Sequence, residues 1–300
     1  MVDVFMVDKK QKSVRRVGIK IHPLYHPAEK ALRAFRSACE KYGIEIIEPV
    51  DSSCHAVVSI GGDGTLLSAV HDAYPNDIPI WGINVGGLGY LTSSGTDNID
   101  SETQSLAQGD YHVEYRTMME ATIHHTNGDE SKLIALNDIV IHRQVPAGGL
   151  MMLDAELDGR FLATFEADGL IISTPTGSTG YNLAAGGSIL SPTLHGFILT
   201  PICAHSFSAR SLIYDDTSTM VIKPKTKIPG EPAYATADGH DTAELRDCQD
   251  GSIREIGGGC TITINKAGRP AGLLRFDEVF FSDVLRDKLG WAKGSQNNNK

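Results

Sequence analysis

The stretch that most constrains the fold is SIGGDGTLL at residues 59–67, where one apolar run ends in glycines and another begins. The run before it, AVVSI, is short and β-branched, as in a buried strand, whereas TLLSAVHDAY after it has the apolar spacing of a helix. A strand, a glycine turn and a helix start in this order present backbone amides at the positive end of a helix dipole, which favours bound anions. The sequence therefore predicts a phosphate-binding loop in an α/β sheet.

Asp63 lies inside this loop, although a carboxylate repels a phosphate unless it binds a metal or takes a proton from a hydroxyl. It therefore indicates phosphoryl transfer. The motif alone also allows a simpler interpretation, in which Gly61, Gly62 and Gly64 make a tight turn and Asp63 caps the helix. A second glycine-rich turn, GGLGY at residues 86–90, follows the next predicted strand. Two such turns at the carboxyl ends of neighbouring parallel strands predict a nucleotide cleft.

The rest of the chain divides into a strand and helix part and a strand part. Strand and helix signals alternate over the first third, which is typical of a parallel sheet with crossover connections. From about residue 112 short strands dominate, with hairpin signals at Asn127-Gly128 and Asp158-Gly159, and a helical pattern returns at the end. We expect a Rossmann-like α/β amino-terminal domain, a β-rich, sandwich-like carboxyl-terminal domain and a final helix that returns to the first domain. The predicted bounds are 1–115 plus 271–292 for the α/β domain, 116–270 for the β-rich domain and 293–300 for a disordered tail.

Charge and composition exclude several classes of partner. The net charge of -10, without a Lys/Arg run, argues against binding of nucleic acid or of an anionic membrane surface. No stretch reaches the roughly 18 apolar residues of a membrane span, and the first residues lack the order of a secretion signal, so we expect a cytoplasmic protein. The five cysteines form no CxxC pair and the eleven histidines no HExxH motif, so no metal site made by the protein is predicted.

A second candidate segment is TPTGSTGY at residues 174–181, which places four hydroxyl side chains and two glycines directly after an apolar strand. Such a density of donors suits a polar ligand, and Tyr181 offers a flat face to an aromatic ring. A plain structural loop could also use these residues. Three acidic dipeptides are interpreted, when each is taken alone, as ordinary turns or bulges. They are Asn137-Asp138, Asp168-Gly169 and Asp238-Gly239.

Taken together and in order, GGDGT, Asn137-Asp138, DGLIISTPTGSTGYNLAAGGSILSP, PICAHSFSARSL and the closing VFFSDVLRDKLGW resemble the NAD kinase family over about residues 15–291. The resemblance implies phosphorylation of the adenosine-ribose 2′-hydroxyl of NAD⁺ by ATP with Mg²⁺ or another divalent metal, giving NADP⁺. It also implies a homo-oligomer, either a dimer or a tetramer. Since GGDGT is shared with diacylglycerol-type lipid kinases, a lipid kinase is one alternative, and a dinucleotide sensor without turnover is another.

The resemblance also implies roles for individual residues. Asp63 is the expected catalytic residue, which orients the 2′-hydroxyl and accepts its proton. Acidic groups at Asp138 and Asp168 are expected near the substrate, where they would favour the positively charged NAD⁺ over NADH. The residues expected to bind NAD⁺ are Asp63, Gly64, Tyr90, Asn137, Asp138, Asp168, Thr176, Thr179, Gly180, Tyr181, Asn182, Ala184, Asp238 and His240. Those expected to bind phosphate are Gly61, Gly62, Gly64, Thr65 and Arg210.

Overall fold

The computed structural model describes residues 11–22, 26–87, 89–92, 94–125, 127–143, 150–225, 233–245, 259–277 and 280–290. They form two compact units. One, the α/β unit, consists of the described residues up to Arg116 together with those from Ala271 onward, and the other, the β unit, lies within Thr117–Pro270. The tail predicted to be disordered, 293–300, lies outside the described residues.

The elements run along the chain in the following order. The first part contains β1 (Arg16–Ile21), α1 (His26–Tyr42), β2 (Glu45–Ile47), β3 (Ala56–Gly61), α2 (Asp63–Ala73), β4 (Ile80–Asn84), β5 (Ser94–Gly95), α3 (Ile99–Gln108) and β6 (His112–Arg116). The β unit contains β7 (Met119–His124), β8 (Glu130–Ala135), β9 (Asp138–Arg143), β10 (Met151–Leu157), β11 (Arg160–Ala167), β12 (Gly169–Ser173), α4 (Tyr181–Ala184), β13 (Phe197–Ile202), β14 (Leu212–Tyr214), β15 (Met220–Lys225), β16 (Ala233–Ala237), β17 (Asp241–Glu244) and β18 (Thr261–Lys266). The chain then returns to the α/β unit with β19 (Ala271–Arg275) and α5 (Phe281–Leu289).

The α/β unit is built on one sheet with the strand order β2-β1-β3-β4-β19-β6, to which β5 is added beside β4. All neighbouring strands are parallel except β6, which runs antiparallel to β19. Every residue of β3 and β4 is buried, as expected for central strands covered on both faces. Trp81 on β4 is fully buried and packs edge-on against Phe35 of α1 and against Phe276. This parallel sheet brings the carboxyl ends of β3 and β4 side by side.

The β unit consists of two antiparallel sheets of six strands, ordered β11-β10-β15-β18-β7-β8 and β14-β13-β12-β9-β16-β17. Residues of both sheets contribute to one hydrophobic core. The hairpins predicted at Asn127-Gly128 and Asp158-Gly159 are confirmed, since β7 pairs with β8 and β10 with β11. Together the two units confirm the predicted fold class. No helix in the described part of the chain is long and apolar enough to cross a membrane.

Two of the three acidic dipeptides interpreted as turns or bulges instead connect the two sheets of the β unit, so for these two the interpretation was wrong. Asn137-Asp138 joins β8 of one sheet to β9 of the other, and Asp168-Gly169 joins β11 to β12 in the same way. Asp238-Gly239, in contrast, is an ordinary hairpin turn between β16 and β17, with φ of 51° and 70°. We call these two connections between the sheets of the β unit crossings. The hairpin turn at Asp238 lies beside the crossing at Asn137-Asp138.

Candidate active site

The GGDGT loop has the predicted strand, turn and helix geometry. β3 ends at Gly61, Gly62 is extended with φ of −105° and ψ of −168°, and α2 begins at Asp63. Gly62 and Gly64 are exposed, and a Cβ atom added to either would meet nothing within 4 Å. The amide of Thr65, however, donates a hydrogen bond of 3.0 Å to the carbonyl of Gly62, so this amide is used inside the loop.

The side chain of Asp63 does not cap α2, because the start of that helix has no side-chain capping bond. The carboxylate instead holds the second glycine-rich turn. Its Oδ2 accepts a bond of 2.8 Å from the amide of Tyr90, and its Oδ1 accepts bonds of 3.2 Å from the amides of Leu91 and Thr92 and from the Thr92 hydroxyl. A Cβ atom at Gly89 would collide with this carboxylate. The helix-cap alternative is therefore replaced by a bridge between the two glycine-rich turns.

Asn84 at the end of β4 fixes the glycine-rich turn at residues 86–90 by side-chain hydrogen bonds. Its buried amide donates to the carbonyl of Gly87 at 2.8 Å and to the Thr92 hydroxyl at 2.9 Å, and its oxygen accepts from the amide of Gly86 at 2.8 Å. The sequence interpretation missed both Asn84 and Thr92. A signal existed, since a polar residue at the end of an apolar strand and directly before a glycine turn has to satisfy the backbone of that turn.

Tyr90 lies beside this network in the α/β unit. Its ring is 5.5 Å from the ammonium of Lys288 on α5, measured to the ring centroid. Burial, and to a smaller extent the charge of Asp63, raise the pKa of the Tyr90 hydroxyl. The residue is half-buried, so part of its surface stays accessible.

In the β unit, Asp238 holds the crossing at residues 136–138. Its carboxylate accepts hydrogen bonds from three consecutive amides, those of Leu136 at 2.8 Å, Asn137 at 2.7 Å and Asp138 at 3.2 Å. Asp138 itself is 6% exposed. Burial and then the negative charge of Asp238 raise the pKa of Asp138 to about 7. The crossing is thus fixed by one acid and carries a second acid that changes its charge near neutral pH.

Most polar side chains of the TPTGSTGY segment and its continuation bond to the protein itself. The Thr174 hydroxyl donates to the carbonyl of Leu136 at 2.6 Å, and the Ser178 hydroxyl donates to that of Pro175 at 2.7 Å. The side-chain amide of Asn182 donates to the carbonyls of Ser178 and Ser188, and its oxygen accepts from Thr200. The side chains of Thr174, Ser178 and Asn182 are buried and their polar atoms are bonded to the protein, as expected if this segment is a structural loop.

The same segment packs closely on the crossing at 136–138. A Cβ atom at Gly177 would collide with the backbone of Asn137, so this contact requires glycine. The amide of Thr174 donates to the carbonyl of Asn137 at 2.9 Å. The hydroxyl-rich loop therefore supports the backbone that carries Asn137 and Asp138.

A cavity of about 700 Å³ opens in the β unit beside this crossing. Five of the residues predicted to bind NAD⁺ line it although they are far apart in the sequence. They are Asn137, Asp138, Asp168, Tyr181 and Asp238. The lining does not include Thr176, Thr179, Gly180, Asn182, Ala184 or His240. Arg210 lies at a second, smaller cavity, where its guanidinium donates to the carbonyls of Phe207 and Ala209.

Comparison with known proteins identifies the family. The ATP-NAD kinase N-terminal domain model matches residues 9–111, and the ATP-NAD kinase C-terminal domain model matches residues 136–255. The NAD kinase of Sulfurimonas denitrificans is 32% identical over 298 residues, which cover 94% of this chain and 99% of that protein. The chain belongs to the ATP-NAD kinase family. The NAD kinase of Lachnoclostridium phytofermentans is 38% identical over 246 residues, 81% of each chain.

Two solved structures share the fold of this NAD kinase family member. Yeast NADH kinase, in a complex with NADH, superposes with a TM-score of 0.82 at 23% identity and covers 97% of this chain and 91% of its own. An NAD kinase from Archaeoglobus fulgidus, in a complex with ATP, gives a TM-score of 0.70 at 23% identity, with coverage of 93% and 98%. The likeness extends over nearly the whole chain in both cases.

Arg143 is a further charged residue of the NAD kinase cavity that the sequence interpretation missed. Its guanidinium donates to Oδ1 of Asp168 at 2.7 Å, and its side chain is 6% exposed. The partnership has no local sequence signal, because it depends on the register between β9 and β12. Within the described ranges, no three His, Cys, Asp or Glu side chains are grouped so that they could hold a metal ion.

Proposed function

We propose that this chain is an ATP-dependent NAD kinase that transfers the γ-phosphate of ATP to the adenosine-ribose 2′-hydroxyl of NAD⁺ and so forms NADP⁺. The observation that carries the proposal is the tandem match to both ATP-NAD kinase domains along the chain, with GGDGT intact at residues 61–65. The runs specific to this family are present in the same order. A lipid kinase would share GGDGT but would not require TPTGSTGY or its continuation.

Asp63 is the residue we assign to the chemistry. Phosphoryl transfer passes through a loose transition state, so the protein contributes mainly by positioning and by neutralising charge. The carboxylate of Asp63 is fixed by four hydrogen bonds, three of them to Oδ1 and one to Oδ2. Oδ2 therefore keeps a lone pair with which it can orient the 2′-hydroxyl and accept its proton. The retained carboxylate also argues against a sensor without turnover.

The start of α2 is the proposed site for the phosphates of ATP. Gly62 and Gly64 are exposed and leave open space where other residues would place a side chain. The helix dipole and the amides at the helix start favour an anion there. We assign no phosphate to the amide of Thr65, which is already bonded to Gly62, or to Arg210, whose guanidinium donates to two carbonyls of its own loop.

Mg²⁺ fits this arrangement as an ion that arrives with ATP. It is commonly bound through one or two carboxylates plus substrate phosphates and keeps several waters, so it does not need a cage made by the protein. When bound, it would neutralise charge on the transferring phosphate. Asp63 is the carboxylate of the GGDGT loop and begins α2, so it is the residue of this loop that would hold such an ion through one of its waters.

The cavity of the β unit is the proposed site for part of NAD⁺. Its wall offers Asn137 and Asp138 to hydroxyl groups and the exposed ring of Tyr181 for stacking. Asn182, with its amide fully occupied, is assigned a positioning role, as is Asp238, whose carboxylate holds the crossing. The family also leads us to propose a homo-oligomer, a dimer or a tetramer.

The test is direct. Purified protein is incubated with ATP, Mg²⁺ and NAD⁺, and NADP⁺ is read out with a dehydrogenase that accepts NADP⁺ alone. The proposal expects NADP⁺ that depends on ATP and on the divalent ion. Turnover of diacylglycerol without NADP⁺ would favour the lipid kinase, and binding of NAD⁺ without any product would favour the sensor.

A further inference from the structure

Arg275 contacts the turn that holds Asp63, although it belongs to the segment that follows the β unit in the chain. It ends β19 and is 5% exposed. Its Nη1 donates to the carbonyl of Leu91 at 2.7 Å, and its Nε donates to Oε2 of Glu114 on β6 at 2.7 Å. The two ends of this buried side chain thus reach the glycine-rich turn and the neighbouring strand.

The carbonyl of Leu91 and the amide of Thr92 belong to one peptide group. This group is trans and planar, so its oxygen and its N–H point in opposite directions. The amide of Thr92 donates to Oδ1 of Asp63 at 3.2 Å. The guanidinium of Arg275 and the carboxylate of Asp63 are therefore bonded to opposite ends of the same peptide group.

Burial and the shape of the guanidinium both make this chain of bonds rigid. Leu91 and Thr92 are 3% and 2% exposed, so the peptide group between them is shielded from water. In such surroundings linked hydrogen bonds polarise one another, and a cation at the carbonyl strengthens the donor at the other end of the peptide. Glu114 fixes the plane of the Arg275 guanidinium, because Nε and Nη1 of this rigid fork are directed at acceptors on different segments.

We propose that Arg275 is a positioning residue for phosphoryl transfer, because it fixes the peptide group between Leu91 and Thr92 and, through it, the carboxylate of Asp63. The inference rests on the proposed function, since it takes Asp63 to be the acid at the reacting hydroxyl. A misplacement of about 1 Å can cost about 10²-fold in rate, so loss of this arginine should act on turnover more than on binding. The role belongs to a residue outside every motif that the sequence interpretation used.

Arg275→Lys is the central variant. It keeps the buried charge, but one ammonium group cannot reproduce the two fixed bonds of the planar guanidinium. The rate of NADP⁺ formation should fall by about tenfold, whereas the affinity for NAD⁺, measured by calorimetry without ATP, should stay within about twofold of the parent. Arg275→Gln also removes the charge and should lower the rate by about 10 to 100-fold. If Arg275→Gln does not fold, as judged by circular dichroism, Arg275→Lys still tests the split between rate and affinity.

Arg116→Lys is the matched control. Arg116 on β6 is 7% exposed, and its guanidinium bonds to Oε1 of the same Glu114 at 2.6 Å. Among the described residues, none of its hydrogen bonds reaches residues 86–92. The control should keep the rate within about threefold of the parent even where its stability falls. Equal losses of rate in Arg116→Lys and Arg275→Lys would overturn the inference, because they would show a general effect of disturbing Glu114.

A second comparison shows whether Arg275 acts through Asp63. In Asp63→Asn the positioned acid is already lost, so adding Arg275→Lys should lower the remaining rate by less than about twofold. Single-turnover reactions with enzyme in excess measure such slow rates. The same tenfold loss in both backgrounds would overturn the inference, since a purely structural role predicts that the two losses are independent.

The parent protein separates this inference from the proposed function. A parent that makes no NADP⁺ would contradict the proposed function itself. A parent that makes NADP⁺ at a rate that Arg275→Lys does not change would contradict only the role of Arg275.

Discussion

Both units contain an aspartate whose carboxylate is held by three consecutive backbone amides, but the two aspartates serve different ends. In the α/β unit, Asp63 stands at the start of a helix between two exposed glycines and bridges to the amides of residues 90–92. In the β unit, Asp238 is 8% exposed and bridges to the amides of residues 136–138. One arrangement fixes the acid to which we assign the chemistry. The other uses an acid to hold the backbone that carries a neighbouring acid.

The difference shows that the same three amide contacts can fix either a carboxylate or the backbone to which it bonds. At Asp63 they fix a carboxylate that remains partly open to solvent. At Asp238 they fix the crossing between two sheets. Burial, and then the negative charge of Asp238, raise the pKa of the neighbouring Asp138 to about 7. The same set of bonds thus fixes the proposed reactive carboxylate in one unit, and in the other it fixes a carboxylate that raises the pKa of its neighbour Asp138. Substitutions that keep the shape but remove the charge should separate the two roles.

The largest effect is expected from Asp63→Asn. The amide keeps the size of the side chain but cannot accept the proton of the 2′-hydroxyl, so turnover should fall by about 10² to 10⁴-fold. The affinity for NAD⁺ in the absence of ATP should remain close to that of the parent. Asp72→Asn on the same helix, an exposed residue paired with Lys20, is the matched control and should leave turnover unchanged. Unaltered turnover in Asp63→Asn would reduce Asp63 to a structural bridge.

Gly89→Ala tests whether the bridge at Asp63 must be undisturbed. The added methyl group would occupy the position of the Asp63 carboxylate, so that acid has to move and turnover should fall by about 10 to 100-fold. Gly87→Ala is the control in the same turn, because a Cβ atom there meets nothing within 4 Å. Steady-state rates of NADP⁺ formation compare the two variants. Equal rates would show that the position of Asp63 is not critical.

Asp238→Asn should affect stability more than chemistry. One carboxylate oxygen becomes an NH₂ group that cannot accept from the amides of the crossing, and a lost buried hydrogen bond costs about 1 to 3 kcal/mol. Urea denaturation measures this loss. Asp158→Asn is the control for burial, since Asp158 occupies the same position of a hairpin turn and its carboxylate accepts from the Thr219 amide and the Ser218 hydroxyl, but it is exposed. A control that is destabilised as much as Asp238→Asn would show that burial of the contact with the crossing does not matter.

The smallest effect on activity is expected at Glu102 on α3, which is 7% exposed and lies outside the cavity. Burial, its largest cause, raises the pKa of Glu102 to about 7 from 4.5. Because the folded protein disfavours the ionised form, the parent should lose stability as the pH rises from about 4.5 to 7. Glu102→Gln cannot ionise, so it should be more stable than the parent by about 1 to 3 kcal/mol at pH 8 and should lose this advantage near pH 4.

Thermal or urea denaturation at pH 4, 6 and 8 follows this difference. A gap that does not change with pH would mean that folding does not shift the pKa of Glu102, and would contradict the prediction. Because Glu102 is not part of the cavity, its substitution should leave the affinity for NAD⁺ unchanged. Asp138, whose pKa is raised to a similar value but which does line the cavity, provides the contrast.

Local sequence patterns predicted much of the fold, including the loop that carries Asp63. The run from Ala56 to Ala73 contains its own strand, turn and helix signals, and the structure has all three there. The hairpins at Asn127-Gly128 and Asp158-Gly159 follow from turn chemistry that depends on adjacent residues. The family was identified from the order of such motifs, and the family models confirm it.

Contacts between distant segments could not be predicted in the same way. Asp238 reaches the amides of residues 100 to 102 positions earlier in the chain, and Arg143 meets Asp168 through a strand register. For the same reason the local sequence of Asn137-Asp138 predicts a turn or a bulge, although the chain changes sheets there. The location in the cytoplasm, the oligomeric state and the divalent metal stay predictions.

The most direct measurement is a crystal structure of this chain with NAD⁺ bound. The account predicts an oxygen of the Asp63 carboxylate within about 2.6 to 3.2 Å of the 2′-oxygen of the adenosine ribose, with the bonds from residues 90–92 still in place. A carboxylate that points into solvent, with the adenosine ribose bound elsewhere, would contradict it.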